Sequence, residues 1–189
     1  MKVLAAVGSP RKEGNTDALV SAILEGAASV GAGVEKVNLA ELRIEFCDAC
    51  ETCIQADPNA DYCFKEDDMR DLYPKVAEAD CLLVGTPVYF FSLSAQTKVF
   101  LDRLLPFSSG ERIRTLQGKK LALAVVYGDA DPAAAGVSNV INVVRQAADY
   151  ANMRWMGYIC GQAENLGDVA ENEELLDKAR QFGVVLARA

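Results

Sequence analysis

Histidine is absent from the 189 residues of this chain. Imidazole is the commonest general base in enzymes and the commonest side-chain ligand of metals, so other groups must fill both roles here. A metal bound by this protein would therefore have to be held by thiolates or carboxylates.

Positive charge and long apolar runs are also scarce. The chain has 19 Lys and Arg against 27 Asp and Glu, a formal net charge of −8, and no run of basic residues. This balance argues against a nucleic-acid partner or an anionic membrane surface and favours small molecules or proteins. No apolar run approaches the roughly 20 residues of a membrane span, and the first residues lack a basic region followed by an apolar signal segment. We therefore expect a soluble, cytoplasmic protein.

The length predicts a single domain over residues 1–189, which can bury about 70% of the surface of its unfolded chain. Six cysteines in a chain without an export signal are more typical of metal-binding, catalytic or buried thiols than of disulfides. We expect Cys81 and Cys160, which lie in apolar runs, to be structural.

Residues 1–16 predict a strand, a polar loop and the start of a helix. Met1 to Val7 has the composition of a buried parallel strand, and Asn15 or Thr16 can cap the helix that follows. A helix that begins here directs free N–H groups at the loop, where Gly8 and Gly14 let the backbone bend around a bound group. Side-chain donors and one positive charge come from Ser9, Asn15, Thr16 and Arg11. The pattern predicts a phosphate-binding loop, and the alternative is a plain connection in which the hydroxyls only satisfy backbone groups.

Short apolar runs and helical patterns alternate along the rest of the chain. Strands are predicted at Val34 to Leu39, Cys81 to Gly85, Lys119 to Tyr127 and Met153 to Cys160. Helices are predicted after Asp67 or Asp68 with a kink at Pro74, from Ser92 or Ser94 through Leu105, from Val137 to Ala148 and from Leu175 to Leu186. Together with the first strand and helix, these elements predict an α/β fold with a doubly wound, five-stranded parallel sheet and helices on both faces.

Ligands of such sheets bind at the carboxyl ends of the strands, where two further loops are predicted. The first, Pro87 to Phe91, follows the third strand and contains the aromatics Tyr89, Phe90 and Phe91, which also suit a dimer contact. The second begins at Gly128 and includes Asp129, either a turn residue or a ligand contact. A phosphate loop, a flat apolar surface and a polar loop together fit a phosphorylated aromatic ring system.

Residues 43–68 interrupt this alternation and carry four of the six cysteines. Two residues separate Cys47 from Cys50 and Cys50 from Cys53, and nine separate Cys53 from Cys63. The first three thiols can wrap around one side of an iron–sulfur cluster, while the fourth can come from any distance. A tetrahedral zinc site or a set of metal-free thiols is the alternative, because four sulfurs satisfy zinc equally well.

Gly8 to Thr16, Thr86 to Phe90 and Ser94 to Arg103 together resemble the NADPH-dependent FMN reductase family, and the match extends over nearly the whole chain. The cysteine spacing followed by Asp67-Asp68-Met69 is similar to the iron–sulfur flavoprotein branch of that family. The resemblance implies a flavodoxin-like fold, bound FMN and a four-iron four-sulfur (4Fe-4S) cluster on Cys47, Cys50, Cys53 and Cys63. It also implies that the FMN phosphate is held by Ser9, Arg11, Asn15 and Thr16. The isoalloxazine ring would pack on Thr86, Pro87, Val88, Tyr89, Phe90 and Phe91, with Gly128 and Asp129 at its polar edge.

We therefore expect an FMN-dependent oxidoreductase that passes electrons to a small acceptor such as a quinone or a flavin. NAD(P)H is the expected donor, ferredoxin is a candidate partner, and the active unit is expected to be a homodimer or a tetramer. The alternatives are a cluster-free quinone, azo or FMN reductase, a flavodoxin-type electron carrier, and a zinc-stabilised binding module without flavin. No catalytic acid or base is assigned, because the redox chemistry belongs to the cofactor.

Overall fold

The computed structural model describes residues 1–55, 61–107 and 112–189. Its strands are β1 (Lys2–Val7), β2 (Gly33–Asn38), β3 (Cys81–Tyr89), β4 (Ser92–Leu93), β5 (Lys120–Tyr127) and β6 (Arg154–Gln162). Its α-helices are α1 (Asn15–Ser29), α2 (Thr52–Gln55), α3 (Met69–Glu78), α4 (Ala95–Asp102), α5 (Ile113–Leu116), α6 (Val137–Tyr150), α7 (Asp168–Glu171) and α8 (Glu173–Arg188). Short 3₁₀ turns cover Leu39–Glu41 and Leu105–Phe107. Within these residues, no helix combines the length and the hydropathy needed to cross a membrane.

The long strands form a parallel sheet in the order β2-β1-β3-β5-β6. In the centre of the sheet, Val3 lies opposite Val34 on one side and Cys81 on the other. This is the strand order of flavodoxin-like doubly wound sheets, which confirms the predicted fold class. The small strand β4 was not predicted, and it pairs antiparallel with the end of β3.

Alternate residues of β1 pack into two separate hydrophobic cores, one on each face of the sheet. Leu4 and Ala6 belong to the core beneath α3, α4 and α6, whereas Val3, Ala5 and Val7 belong to the core beneath α1 and α8. Because both faces are covered, the strand is apolar at every position instead of alternating with polar residues.

Helices α1 and α8 cross at two glycines. A Cβ atom on Gly26 would overlap the carbonyl oxygen of Arg180, and one on Gly183 would overlap that of Ile23. The two backbones can therefore approach this closely only without side chains at the crossing. The C-terminal helix supports the helix that begins at the predicted phosphate loop.

The prediction that Pro87 to Phe91 form a loop is wrong for Pro87 to Tyr89 and holds only for Phe90 and Phe91. Strand β3 continues to Tyr89, and Pro87 still pairs with Val126 of β5. Phe90 and Phe91 have positive φ angles of 48° and 64° and form the turn into β4. Two successive residues with positive φ are typical of the tight turns that join antiparallel strands, so this turn fixes the aromatic residues in a hairpin.

Several helix boundaries also differ from the predictions. Gly14, and neither Asn15 nor Thr16, is the N-cap of α1. Helix α4 ends at Asp102, three residues before the predicted Leu105, while its cap Ser94 is one of the two predicted residues and accepts from the Thr97 N–H. Helix α3 includes Pro74 and continues through it to Glu78.

Candidate functional site

A cleft at the carboxyl edge of the sheet brings together most of the predicted ligand-binding residues. Its lining includes Ser9, Arg11, Asn15, Thr16, Pro87, Val88, Tyr89 and Gly128. Val126, Tyr127, Ala163 and Glu164 line it too and were not singled out from the sequence. They end β5 or follow β6 at the same edge, so a systematic search of strand ends would have found them.

The loop after β1 is fixed at its first residue. The Gly8 N–H donates to the Gly85 carbonyl at 2.7 Å, and the Ser94 hydroxyl donates to the Gly8 carbonyl at 2.6 Å. A side chain at Gly8 would overlap the Thr97 hydroxyl. The loop is thus held against β3 and the start of α4, which sets the direction in which its later amides point.

The rest of this loop is suited to a phosphate. The Ser9 hydroxyl accepts from the Arg11 N–H at 3.2 Å, which turns the loop, and the Arg11 side chain lies at the cleft. Gly14 has no side chain that could accept from the first amides of α1, and Thr16 at the same helix end is buried. A helix N-terminus with free amides and an adjacent guanidinium is a favourable site for a dianionic group. This donor set fits the phosphate of FMN.

The side chain of Asn15 is occupied by the loop that follows β6. Its amide nitrogen donates to the Asn165 carbonyl at 2.6 Å, and its oxygen accepts from the N–H groups of Gly167 at 3.0 Å and Val169 at 3.2 Å. Asn15 therefore joins the start of α1 to the start of α7. No local sequence pattern indicates this role, because the two segments are 150 residues apart.

Four other predicted residues do not line the cleft. Thr86 is fully buried, and its hydroxyl accepts from the Ser94 N–H at 3.1 Å, which holds the hairpin. Phe90 and Phe91 project at the tip of the hairpin and are 98% and 59% exposed. Asp129 accepts from the Asp131 N–H at 3.0 Å, the contact of a turn residue.

The cysteine segment, defined here as Glu45 to Asp67, contains the four predicted metal ligands, all as free thiols. Burial raises the pKa of the Cys53 thiol, and Coulombic interaction with Cys63, Cys47 and Cys50 raises it further. In the ranges 1–55, 61–107 and 112–189, no three cysteine or acidic side chains meet closely enough to hold a metal ion. Four sulfur donors without histidine nevertheless fit an iron–sulfur cluster by their chemistry.

The cysteine segment begins at the same edge of the sheet as the cleft. It follows β2 and the 3₁₀ turn Leu39–Glu41, and Lys12 of the phosphate loop contacts Glu41 of that turn at 2.8 Å. Inside the segment, the Lys65 ammonium lies 2.7 Å from an Asp48 carboxylate oxygen, and its side chain is only 11% exposed. This contact joins the residue after Cys47 to a residue just beyond Cys63.

Comparisons with known proteins agree with the predicted resemblance. The profile of the family described as NADPH-dependent FMN reductase matches residues 1–164. An iron-sulfur flavoprotein of Archaeoglobus fulgidus is 35% identical over 196 residues, which covers 100% of this chain and 80% of that protein. The structure of an NAD(P)H:quinone oxidoreductase from Methanothermobacter marburgensis superposes with a TM-score of 0.73 at 18% identity, covering 100% of this chain and 98% of that one. The two-electron reduced flavodoxin of Megasphaera elsdenii gives a TM-score of 0.60 at 18% identity and covers 99% of each chain.

Proposed function

Because this chain belongs to the NADPH-dependent FMN reductase family, and is therefore a flavin-dependent oxidoreductase, we propose that it binds FMN in the cleft at the carboxyl edge of the sheet. The observation that carries the proposal is the meeting of the Ser9 to Thr16 loop with Pro87, Val88 and Tyr89 in one cleft. Bound FMN supplies the redox chemistry, by hydride or single-electron transfer.

The residues of the cleft would bind and orient the cofactor. The amides at the start of α1 and the Arg11 guanidinium would hold its phosphate, with the Thr16 hydroxyl at the same helix end. Pro87, Val88 and Tyr89 would cover one face of the ring, and Gly128 would leave the backbone free to approach its polar edge. Apolar cover excludes water and thereby influences the potential of the flavin. The electron acceptor is a small molecule, and we propose NAD(P)H as the donor.

We further propose that Cys47, Cys50, Cys53 and Cys63 ligate a 4Fe-4S cluster. Two observations support this proposal: the spacing of the four cysteines and the 35% identity to a protein named as an iron-sulfur flavoprotein. A cluster at this place would exchange single electrons with the flavin edge of the sheet. The cysteine segment distinguishes this proposal from a simple electron carrier, which needs no second redox centre.

The aromatic hairpin, Tyr89 to Phe91, is proposed to face a second copy of the chain. Tyr89 is 40% exposed in the single chain, and Phe90 and Phe91 are more exposed still. Adjacent exposed aromatics are typical of protein interfaces and would also close the cleft from outside. Light scattering of the wild type should detect a homodimer or a tetramer. Phe90→Ser should shift the equilibrium between oligomer and monomer toward the monomer. A monomeric wild type with full reductase activity would contradict the interface.

A comparison of Arg11→Met with Lys12→Met tests the phosphate site. Arg11 lines the cleft, whereas the neighbouring Lys12 is engaged with Glu41. Loss of one charge-assisted hydrogen bond at an exposed position should cost about 1.5 kcal/mol, or about tenfold in FMN affinity. Lys12→Met should bind FMN like the wild type in a fluorescence titration. Equal affinities for all three proteins would place the phosphate elsewhere.

The cluster is tested by anaerobic purification with assays for flavin, iron, sulfide and zinc. Flavin bands with broad iron–sulfur absorbance, lost in Cys50→Ser, are the expected result. Flavin bands alone after reconstitution with iron and sulfide would leave a cluster-free reductase. Stoichiometric zinc without sulfide would favour a structural zinc site instead.

A further inference from the structure

A buried ion pair closes the base of the cysteine segment. Arg103, just after α4, and Asp67, just before α3, make a bidentate contact in which two nitrogens of Arg103 lie 2.5 and 3.2 Å from the two oxygens of Asp67. The side chains are 2% and 0% exposed. Burial opposes the charge of Asp67, but the hydrogen bonds from Arg103 and from the Glu45 and Met69 N–H groups, together with the charge of Arg103, outweigh it and lower the pKa of that carboxyl.

The pair holds both ends of the segment through backbone hydrogen bonds. Arg103 also donates to the Glu45 carbonyl at 2.8 Å, while Asp67 accepts from the Glu45 N–H at 2.9 Å and from the Met69 N–H at 3.1 Å. Next to it, the Arg43 N–H donates to the Asp68 carboxylate at 2.7 Å. Glu45 is therefore held by the ion pair at both its backbone groups, its N–H by Asp67 and its carbonyl by Arg103.

These hydrogen bonds lie close in sequence to the first and the last of the four cysteines. Cys47 lies two residues after Glu45, and Cys63 lies four residues before Asp67. The chain thus leaves the contact between Glu45 and the ion pair just before Cys47, the first cysteine of the set. It returns to that contact just after Cys63, the last one. Cys50 and Cys53 lie between them.

Stability alone does not account for a charged pair at this place. Removing two charges from water is costly, and a well-packed apolar pair of similar volume is often equally stable. What an apolar pair cannot supply is the set of directional hydrogen bonds to the Glu45 backbone. We propose that Arg103 and Asp67 are positioning residues that hold Cys47 and Cys63 at the spacing required for metal ligation.

This inference rests on the proposed metal-binding function of the four cysteines, and it is tested with the double variant Arg103→Met/Asp67→Leu. The variant removes both buried charges together, so neither is left unpaired, and it removes the bonds to Glu45. The control is Lys98→Ala/Asp102→Ala, which deletes an exposed ion pair, 2.5 Å long, from α4 itself. All proteins are used as full chains, loaded with FMN and reduced under anaerobic conditions.

Each protein is titrated with Co²⁺ alone, and binding is monitored by the thiolate-to-Co²⁺ charge-transfer absorption. The thermal midpoint and the FMN content are measured in parallel. We expect the double variant to keep its thermal midpoint and its FMN but to bind Co²⁺ about 10- to 100-fold more weakly, as when other partners that orient metal ligands are removed. The control should match the wild type in every measurement. Arg103→Lys, which keeps the charge but loses the bidentate geometry, should weaken Co²⁺ binding by a smaller factor.

Wild-type Co²⁺ affinity in the double variant would overturn the proposal. So would parallel loss of FMN, thermal midpoint and Co²⁺ binding in both the double variant and Arg103→Lys, because the pair would then support the fold in general. A wild type that gives no thiolate band with Co²⁺ would overturn it as well. A wild type that binds Co²⁺ through its thiolates yet incorporates no iron and sulfide would refute the cluster and leave the positioning role supported.

Discussion

Replacing Asn15 separates its contacts to the protein from any contact to the cofactor. Asn15→Ala removes three hydrogen bonds to the segment from Asn165 to Val169. A hydrogen bond contributes about 0.5–1.5 kcal/mol net, and the side chain is partly exposed, so we expect a loss of about 1.5–3 kcal/mol in the free energy of unfolding. The slightly better helix propensity of alanine acts in the opposite direction and does not explain such a loss.

Asn15→Asp is the matched variant. Its carboxylate can still accept from the Gly167 and Val169 N–H groups but can no longer donate to the Asn165 carbonyl. We expect a loss of only about 1 kcal/mol in stability. FMN affinity should be reduced more by Asn15→Asp than by Asn15→Ala, which is the reverse of their order in stability. A negative charge at the start of α1 repels a phosphate, whereas alanine does not.

Urea unfolding of the FMN-free proteins measures the first effect, and fluorescence titration with FMN measures the second. An Asn15→Ala variant that unfolds with the wild-type free energy would refute this role of Asn15, because the three bonds would then contribute nothing. If Asn15→Asp binds FMN as tightly as Asn15→Ala, the phosphate does not lie beside the start of α1.

Further predictions concern the helix crossing, the buried pair and a core thiol. Gly183→Ala should destabilise the chain by about 1–3 kcal/mol in urea unfolding, because its Cβ would overlap the Ile23 carbonyl, whereas Gly33→Ala, with its nearest atom 3.9 Å away, should change stability by less than about 0.5 kcal/mol. Since the pKa of Asp67 is lowered in the folded chain, the stability it contributes is present above its unfolded pKa of about 3.9 and is lost as the pH falls through the lower folded value. The thermal midpoint of Arg103→Met/Asp67→Leu should therefore fall less steeply than that of the wild type below about pH 4, and equal slopes would contradict the role of Asp67. Burial raises the pKa of Cys81 to about 12, so a thiol reagent at pH 8 should leave this residue unmodified until the chain unfolds; labelling at the rate of Cys50 would refute this.

Sequence patterns predicted the sheet well because burial on both faces leaves a simple signal. The runs Cys81 to Gly85 and Lys119 to Tyr127 are apolar at nearly every position, and each corresponds to a central strand. The phosphate loop was equally accessible, since its glycines and hydroxyls are contiguous in sequence. Most of its predicted residues do line the cleft.

The features that the sequence did not predict depend on contacts between distant segments. The three aromatics suggested a loop because hydrophobic runs do not report the positive φ angles of Phe90 and Phe91, which create the hairpin. The role of Asn15 depends on Gly167 and Val169, and that of Arg103 depends on Asp67 and Glu45. A local pattern does not encode such partners.

Fixing Glu45 to Asp67 has an entropic consequence for the length of the cysteine segment. The cost of closing a loop between two joined ends grows only with the logarithm of its length, so each doubling adds about 0.6 kcal/mol. The number of residues between Glu45 and Asp67 can therefore change by a few at little thermodynamic cost, provided that the joined ends are kept. A change in the length of the cysteine segment therefore costs little free energy, whereas a substitution of Arg103 would remove contacts that hold both ends of the segment.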